Sequence, residues 1–252
     1  MIHHEPMAGT AASPGGGKNA SHYFASLATP GCATIVWGEP RALLNRVLFA
    51  MARDVDPSFF WLDIRSSPDH GLEAGPVELG LIPSDRLYVT SQTTEVHPAD
   101  PIAPRALAVV VRMDAPDAEV ATLVDFLRLP QVTHKVMDGL DQPNGPHVLV
   151  FANAERVREY YPRTSGEVRP YLDAELRAGV IPFYGIYGPG SEARMAADFV
   201  FEVRGRDLKH WREAVLVCDK AHPGSRFRAG EKIPLGSVEC LSEVLEMGAP
   251  AQ

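Results

Sequence analysis

Four short runs of almost wholly apolar residues constrain this 252-residue chain most: Thr34 to Trp37, Ser58 to Ile64, His147 to Asn153 and Val180 to Tyr187. A strand with one wet face alternates polar and apolar side chains, whereas a strand covered on both faces does not. The runs are too short for buried helices, and the chain between them carries helical periodicity. Leu43, Leu44, Val47, Leu48 and Met51 make one apolar stripe, and Val120, Leu123, Val124 and Leu127 make another. The alternation predicts an α/β fold: a mostly parallel sheet flanked by helices. Leu87–Thr90, Phe199–Val203 and Ala214–Cys218 read as further strands, and Leu107–Val111 as either a strand or the start of a helix. Ile233 to Cys240 reads as a returning strand, and Leu241 to Met247 as a terminal helix. Pro182 weakens the central placement of its strand without overturning it.

The first strand runs into Gly38-Glu39-Pro40, a predicted turn, and then a helix from Arg41. In P-loop NTPases the same position carries G-x-x-x-x-G-K-[S/T], whose backbone N–H groups and lysine hold phosphates. Laid from Gly38, the pattern meets Leu43, Leu44 and Asn45 where glycine, lysine and a hydroxyl belong. Arg41 is the one cation in the loop suited to phosphate, although it reads better as a solvated first-turn residue. The strand ending Ala152-Asn153 lacks the aspartate that would hold Mg²⁺ through water. Asp63 and Arg65 close the second strand at the usual ligand crevice of an open α/β sheet, and read better as solvated loop residues. Gly38, Arg41, Leu44, Asn45, Asp63 and Asn153 are therefore the positions of a vestigial nucleotide site. No catalytic residue, metal or cofactor is expected.

Composition narrows the classes. A net charge of −8 and a pI near 5.6 argue against broad nucleic-acid binding. The three cysteines, Cys32, Cys218 and Cys240, are too few and too scattered for a disulfide framework or a Cys-rich zinc site. Reduced thiols fit a cytoplasmic location. No apolar run reaches the ~20 residues of a membrane span, and the N-terminus lacks the apolar stretch of a signal peptide. Residues 1–20, rich in Gly, Ala, Ser and Pro, are expected to be a disordered tail, with one domain over 21–252. Gly15-Gly16-Gly17-Lys18 follows no strand and belongs to that tail. Arg204 to Arg212 around Trp211 reads as a solvated helix, and Arg226 and Arg228 around Phe227 as an exposed loop.

The order of elements resembles the RecA-like ATPases, and within them the KaiC-like branch, over roughly Cys32 to Val238. The carriers are Ile35 to Pro40, Phe60 to Asp63, Val148 to Asn153, Ala196 to Val203, and the late strand Ala214-Val215-Leu216-Val217-Cys218-Asp219-Lys220. The resemblance implies a three-layer RecA-like core. It sets Asp63 close to the family's catalytic glutamate, and Lys220 at a lysine that reaches a neighbouring subunit's nucleotide. His222 stands near where an arginine is expected. Lys220, Phe227 and Arg228 are thereby interface candidates. The expected function is a catalytically inactive RecA/KaiC-like regulator, scaffold or assembly subunit acting through a protein partner or a homo-oligomer. The alternatives are a divergent ATPase or other small-ligand α/β enzyme with its site at the strand ends, and a non-hydrolysing DNA-repair or recombination accessory.

Overall fold

The computed structural model describes residues 22–66, 81–82, 87–91, 108–113, 123–129, 132–133, 136, 147–156, 168–176, 178–188 and 197–247. The expected tail over 1–20, the loop from Gln92 to Pro104 and the helix start at Asp114 lie outside the described residues.

Nine strands form one sheet: β1 Thr34–Glu39, β2 Phe60–Ser66, β3 Leu87–Ser91, β4 Ala108–Met113, β5 Val148–Ala152, β6 Ile181–Ile186, β7 Phe199–Arg204, β8 Val215–Lys220 and β9 Lys232–Pro234. The order across the sheet is β3-β4-β2-β5-β6-β1-β7-β8-β9. From β3 to β7 every neighbouring pair is parallel, and β8 and β9 add an antiparallel margin. Helix α1 (Arg41–Val55), α2 (Leu123–Leu127) and α3 (Glu239–Glu246) cover the sheet, with a helical segment over 168–176. The expected α/β architecture with a mostly parallel sheet is the observed one.

Side chains alternate across each central strand, as pleating requires. Val36, Trp61, Val148, Val150, Phe183, Phe199 and Phe201 face α1 and α3 in one core. Ile35, Phe60, Leu62, Leu149, Phe151, Tyr184 and Val200 face α2 and the 168–176 segment in a second. Burying each of the larger side chains contributes roughly 1.5–3 kcal/mol. Gly185 faces α1, where a Cβ would stand 2.5 Å from Leu48 Cδ2, so its bareness lets the helix settle on β6.

Several elements differ from expectation for local reasons. β1 continues through Gly38 to Glu39, so two expected turn residues belong to the ladder with β7. Pro182 does sit in a central strand. β6 pairs with β1 only from Phe183 onward, so the proline falls at the start of that ladder, where a missing N–H costs least. The returning strand is only Lys232–Pro234, because the chain tightens into a 3₁₀ turn at Leu235–Ser237, and Cys240 lies in α3. A short margin carrying lysine and proline also resists edge-to-edge pairing. The expected solvated helix around Trp211 is instead a 3₁₀ turn, Trp211–Glu213, with the indole 3% exposed in the first core.

Candidate functional site

The carboxyl ends of β1, β2, β5 and β6 converge where β1 lies between two strands that come much later in the chain, the arrangement that opens a crevice in α/β sheets. Its floor is built by register: Asp63 in β2 lies directly opposite Ala152 in β5, and Asn153 follows at once. Asn153 adopts φ 56°, a left-handed conformation that asparagine tolerates better than most residues. From there its amide donates through Nδ2 to Asp63 Oδ1 at 2.7 Å and accepts at Oδ1 from Arg41 Nη1 at 2.8 Å.

Arg41 opens α1 on the other side of the crevice. Its second guanidinium nitrogen lies 2.8 Å from Glu155 Oε1, and the plane stands 4.8 Å from the ring centre of Tyr187, just after β6. The Arg41 side chain is 11% exposed and Asp63 1%. Both expectations of solvated residues are thus corrected: these charges are held inside the crevice because each finds partners there. One carboxylate, Glu155, and the Asn153 amide meet the guanidinium, and the second carboxylate, Asp63, meets the far side of that amide. The named groups carry one positive and two negative charges, so the cluster presents no spare positive charge to a phosphate.

The connection above it is equally informative. β1 ends at Glu39 and α1 begins at Arg41, so Pro40 alone joins them. Pro40 has no N–H to offer, and its carbonyl accepts from the N–H groups of both Leu43 and Leu44 at 3.0 Å. A phosphate cradle needs a run of outward N–H groups in a wide loop; here residues 41 to 45 are already helix. Gly38 lies in the strand at φ +135°, and a Cβ there would stand 2.2 Å from the carbonyl oxygen of Val203 in β7. Its glycine is required by the close approach of β7, not by a bound group.

The remaining sequence candidates separate. Leu44 turns into the first core, and Asn45 is buried in α1 with its Oδ1 unpartnered among the described residues. Neighbouring Arg46 is fully buried; its Nη1 donates to the carbonyls of Leu245 and Met247 at 3.1 and 2.8 Å, the carboxyl end of α3. Lys220, Phe227 and Arg228 sit at the other end of the sheet, since β8 runs antiparallel to β7. Phe227 is not on an exposed loop face. It is 3% exposed and packs on Phe24, Phe201 and Tyr23 at ring distances of 5.8, 5.2 and 6.1 Å. Arg228 is exposed and Lys220 half-buried, so these two, rather than the phenyl ring, carry the surface of that loop. Glu155 was missed in the sequence. Its signal was only its place three residues beyond the strand end, in the 3₁₀ turn Ala154–Arg156.

No family model matches the chain, and no curated protein matches it. Two solved structures are similar to it over most of their length. The flagellar accessory protein FlaH from Methanocaldococcus jannaschii is 11% identical, covers 81% of this chain and 87% of its own, and has a TM-score of 0.40. The KaiC-like protein PH0186 from Pyrococcus horikoshii OT3 is 12% identical, with 81% and 84% covered and a TM-score of 0.39.

Proposed function

We propose that this chain is a RecA/KaiC-like protein that neither binds nor hydrolyses nucleotide and works through protein contacts, as a regulatory, scaffold or assembly subunit. The observation that carries the reading is the single-residue connection at Pro40 between β1 and α1. With no loop there is no amide cradle, and the nearest cation, Arg41, is engaged by Asn153 and Glu155. Each charged phosphate partner withheld costs binding about 1.5–3 kcal/mol. Two or three such losses move a micromolar site to about millimolar or weaker.

Calorimetric titration with ATP and GTP in Mg²⁺ tests the first half. No saturable binding below roughly millimolar is expected; low-micromolar binding that vanishes in Arg41→Ala would overturn it. For the second half, the exposed loop from Lys220 to Arg228 is the surface offered to a partner or a second copy. Lys220→Glu with Arg228→Glu is expected to lower the mass seen by light scattering or to abolish partner capture, and unchanged values for both count against that surface. Salt-dependent DNA binding would favour a nucleic-acid accessory instead.

A further inference from the structure

The end of the sheet opposite the crevice gathers three metal-binding side chains from distant parts of the sequence. Cys32 lies two residues before β1, Asp198 one before β7 and His222 two after β8. The ladders bring them together: Thr34 pairs with Phe199, and Val200 with Lys220, so the chain entering β1, entering β7 and leaving β8 meets at one edge. The Cys32 sulfur, an Asp198 oxygen and a His222 ring nitrogen all lie within 4.8 Å of one another.

We propose that Cys32, Asp198 and His222 bind a Zn²⁺ ion, with water in the fourth position. The donor set decides the metal. A thiolate with an imidazole suits a borderline-soft ion, and disfavours Mg²⁺ or Ca²⁺, which take oxygen shells. Tetrahedral Zn²⁺ bonds of ~2.0–2.3 Å hold donors about 3.5 Å apart, so the side chains need to close by at most about 1.3 Å around the ion. The carboxylate is already oriented for this. Asp198 Oδ2 accepts from the Ala33 N–H at 2.8 Å, and the Asp198 N–H in turn donates to the Ala33 carbonyl at 3.1 Å. That reciprocal pair fixes Asp198 beside Cys32 and engages only one of its two carboxylate oxygens, the kind of support that outer contacts give a ligand. The His222 ring is held beside Phe199, at 6.1 Å between centres. As the Zn–S bond forms, the thiol proton leaves to solvent and no electrons are transferred. The ion would pin the start of the loop after β8 to the sheet.

Cobalt substitution tests the site in the full-length chain. One equivalent of Co²⁺ is expected to give the absorption of a tetrahedral centre with a thiolate-to-cobalt charge-transfer band, displaced by one equivalent of Zn²⁺. Cys32→Ser should abolish the charge-transfer band, while Cys240→Ser should keep it. Asp198→Asn retains an oxygen to accept from Ala33 N–H, and His222→Gln leaves the core intact. Both should weaken Zn²⁺ binding by more than about tenfold, beyond the loss of an outer contact, with unchanged circular dichroism. A band that survives Cys32→Ser, no band in the unaltered protein, or full affinity in His222→Gln would each overturn the proposal. If Cys32→Ser fails to fold, the Asp198 and His222 variants decide.

Discussion

The two ends of one sheet handle polar chemistry in opposite ways. At the carboxyl end, Arg41, Asn153, Asp63 and Glu155 form a mixed cluster in which one cation and an amide meet two carboxylates. At the amino end, Cys32, Asp198 and His222 present electron-pair donors of one kind to a common point. The crevice of an α/β sheet is the usual ligand site, yet here it is the end where the side chains pair with one another. The reason lies in the backbone. A helix that starts one residue after its strand brings its first side chain, Arg41, into the space a wider loop would have left. The antiparallel β8 then returns the chain to the amino end and delivers His222 there.

The largest expected effect tests why Gly38 is glycine. Gly38→Ala puts a Cβ against the Val203 carbonyl at an unfavourable φ. It should cost on the order of 4 kcal/mol or prevent folding, measured by urea unfolding. A variant of normal stability would mean that β1 and β7 are farther apart than described.

Next comes the carboxyl-end cluster. Arg41→Ala removes the guanidinium beside Glu155 and a donor from Asn153 in a largely buried setting. We expect a loss of about 3 kcal/mol. Arg41→Lys should recover only part of it, because an ammonium cannot serve Asn153 and Glu155 with one planar fork. A loss as small as that of a surface pair, below about 1 kcal/mol, would make the crevice wetter and more open than its partners imply.

At the amino end without metal the effects should be smaller. Asp198→Ala leaves the Ala33 N–H without its acceptor and should cost roughly 1–2 kcal/mol, whereas Asp198→Asn should cost less than half of that. If the two variants are equal, the carboxylate does not act as that acceptor, and the orientation argued for metal binding fails with it.

The smallest effect at neutral pH concerns two thiols away from both ends. Burial, with Glu231 and Asp219 nearby, pushes Cys218 up to about 11. Burial together with Asp54 pushes Cys240 up to about 12. Both hold their protons more tightly folded than unfolded, where the value is 9.0. Their contribution is therefore fully present below pH 9 and is lost as pH rises from there toward about 11 to 12. Denaturant midpoints should be flat up to the unfolded value and fall above it. Near neutrality both thiols should react far more slowly with a disulfide reagent in the native protein than in denaturant. Equal rates would place them outside the core.

The sheet was legible in the sequence because burial on both faces leaves a mark on every residue of a strand: runs such as Val148 to Phe151 admit little else. The crevice was legible in part. Leu44 and Asn153 show directly that the residues of the phosphate-binding pattern do not stand at those positions. What replaced them was not legible. Whether Arg41 is solvated or paired depends on Glu155 and Asn153, more than a hundred residues later, and on a one-residue turn whose length local propensity does not specify. Phe227 and Trp211 misled for the same reason: an aromatic among charges looks exposed until Phe24 or the turn Leu235–Ser237 is brought against it. The convergence of Cys32, Asp198 and His222 left no spacing to find. Side-chain type and local pattern act between neighbours in the chain, and so the sequence alone determined the buried strands of the sheet and the long helix after the first of them. Strand order and register act between segments far apart, and so only the tertiary structure decided which charges meet at one end of the sheet and which donors meet at the other.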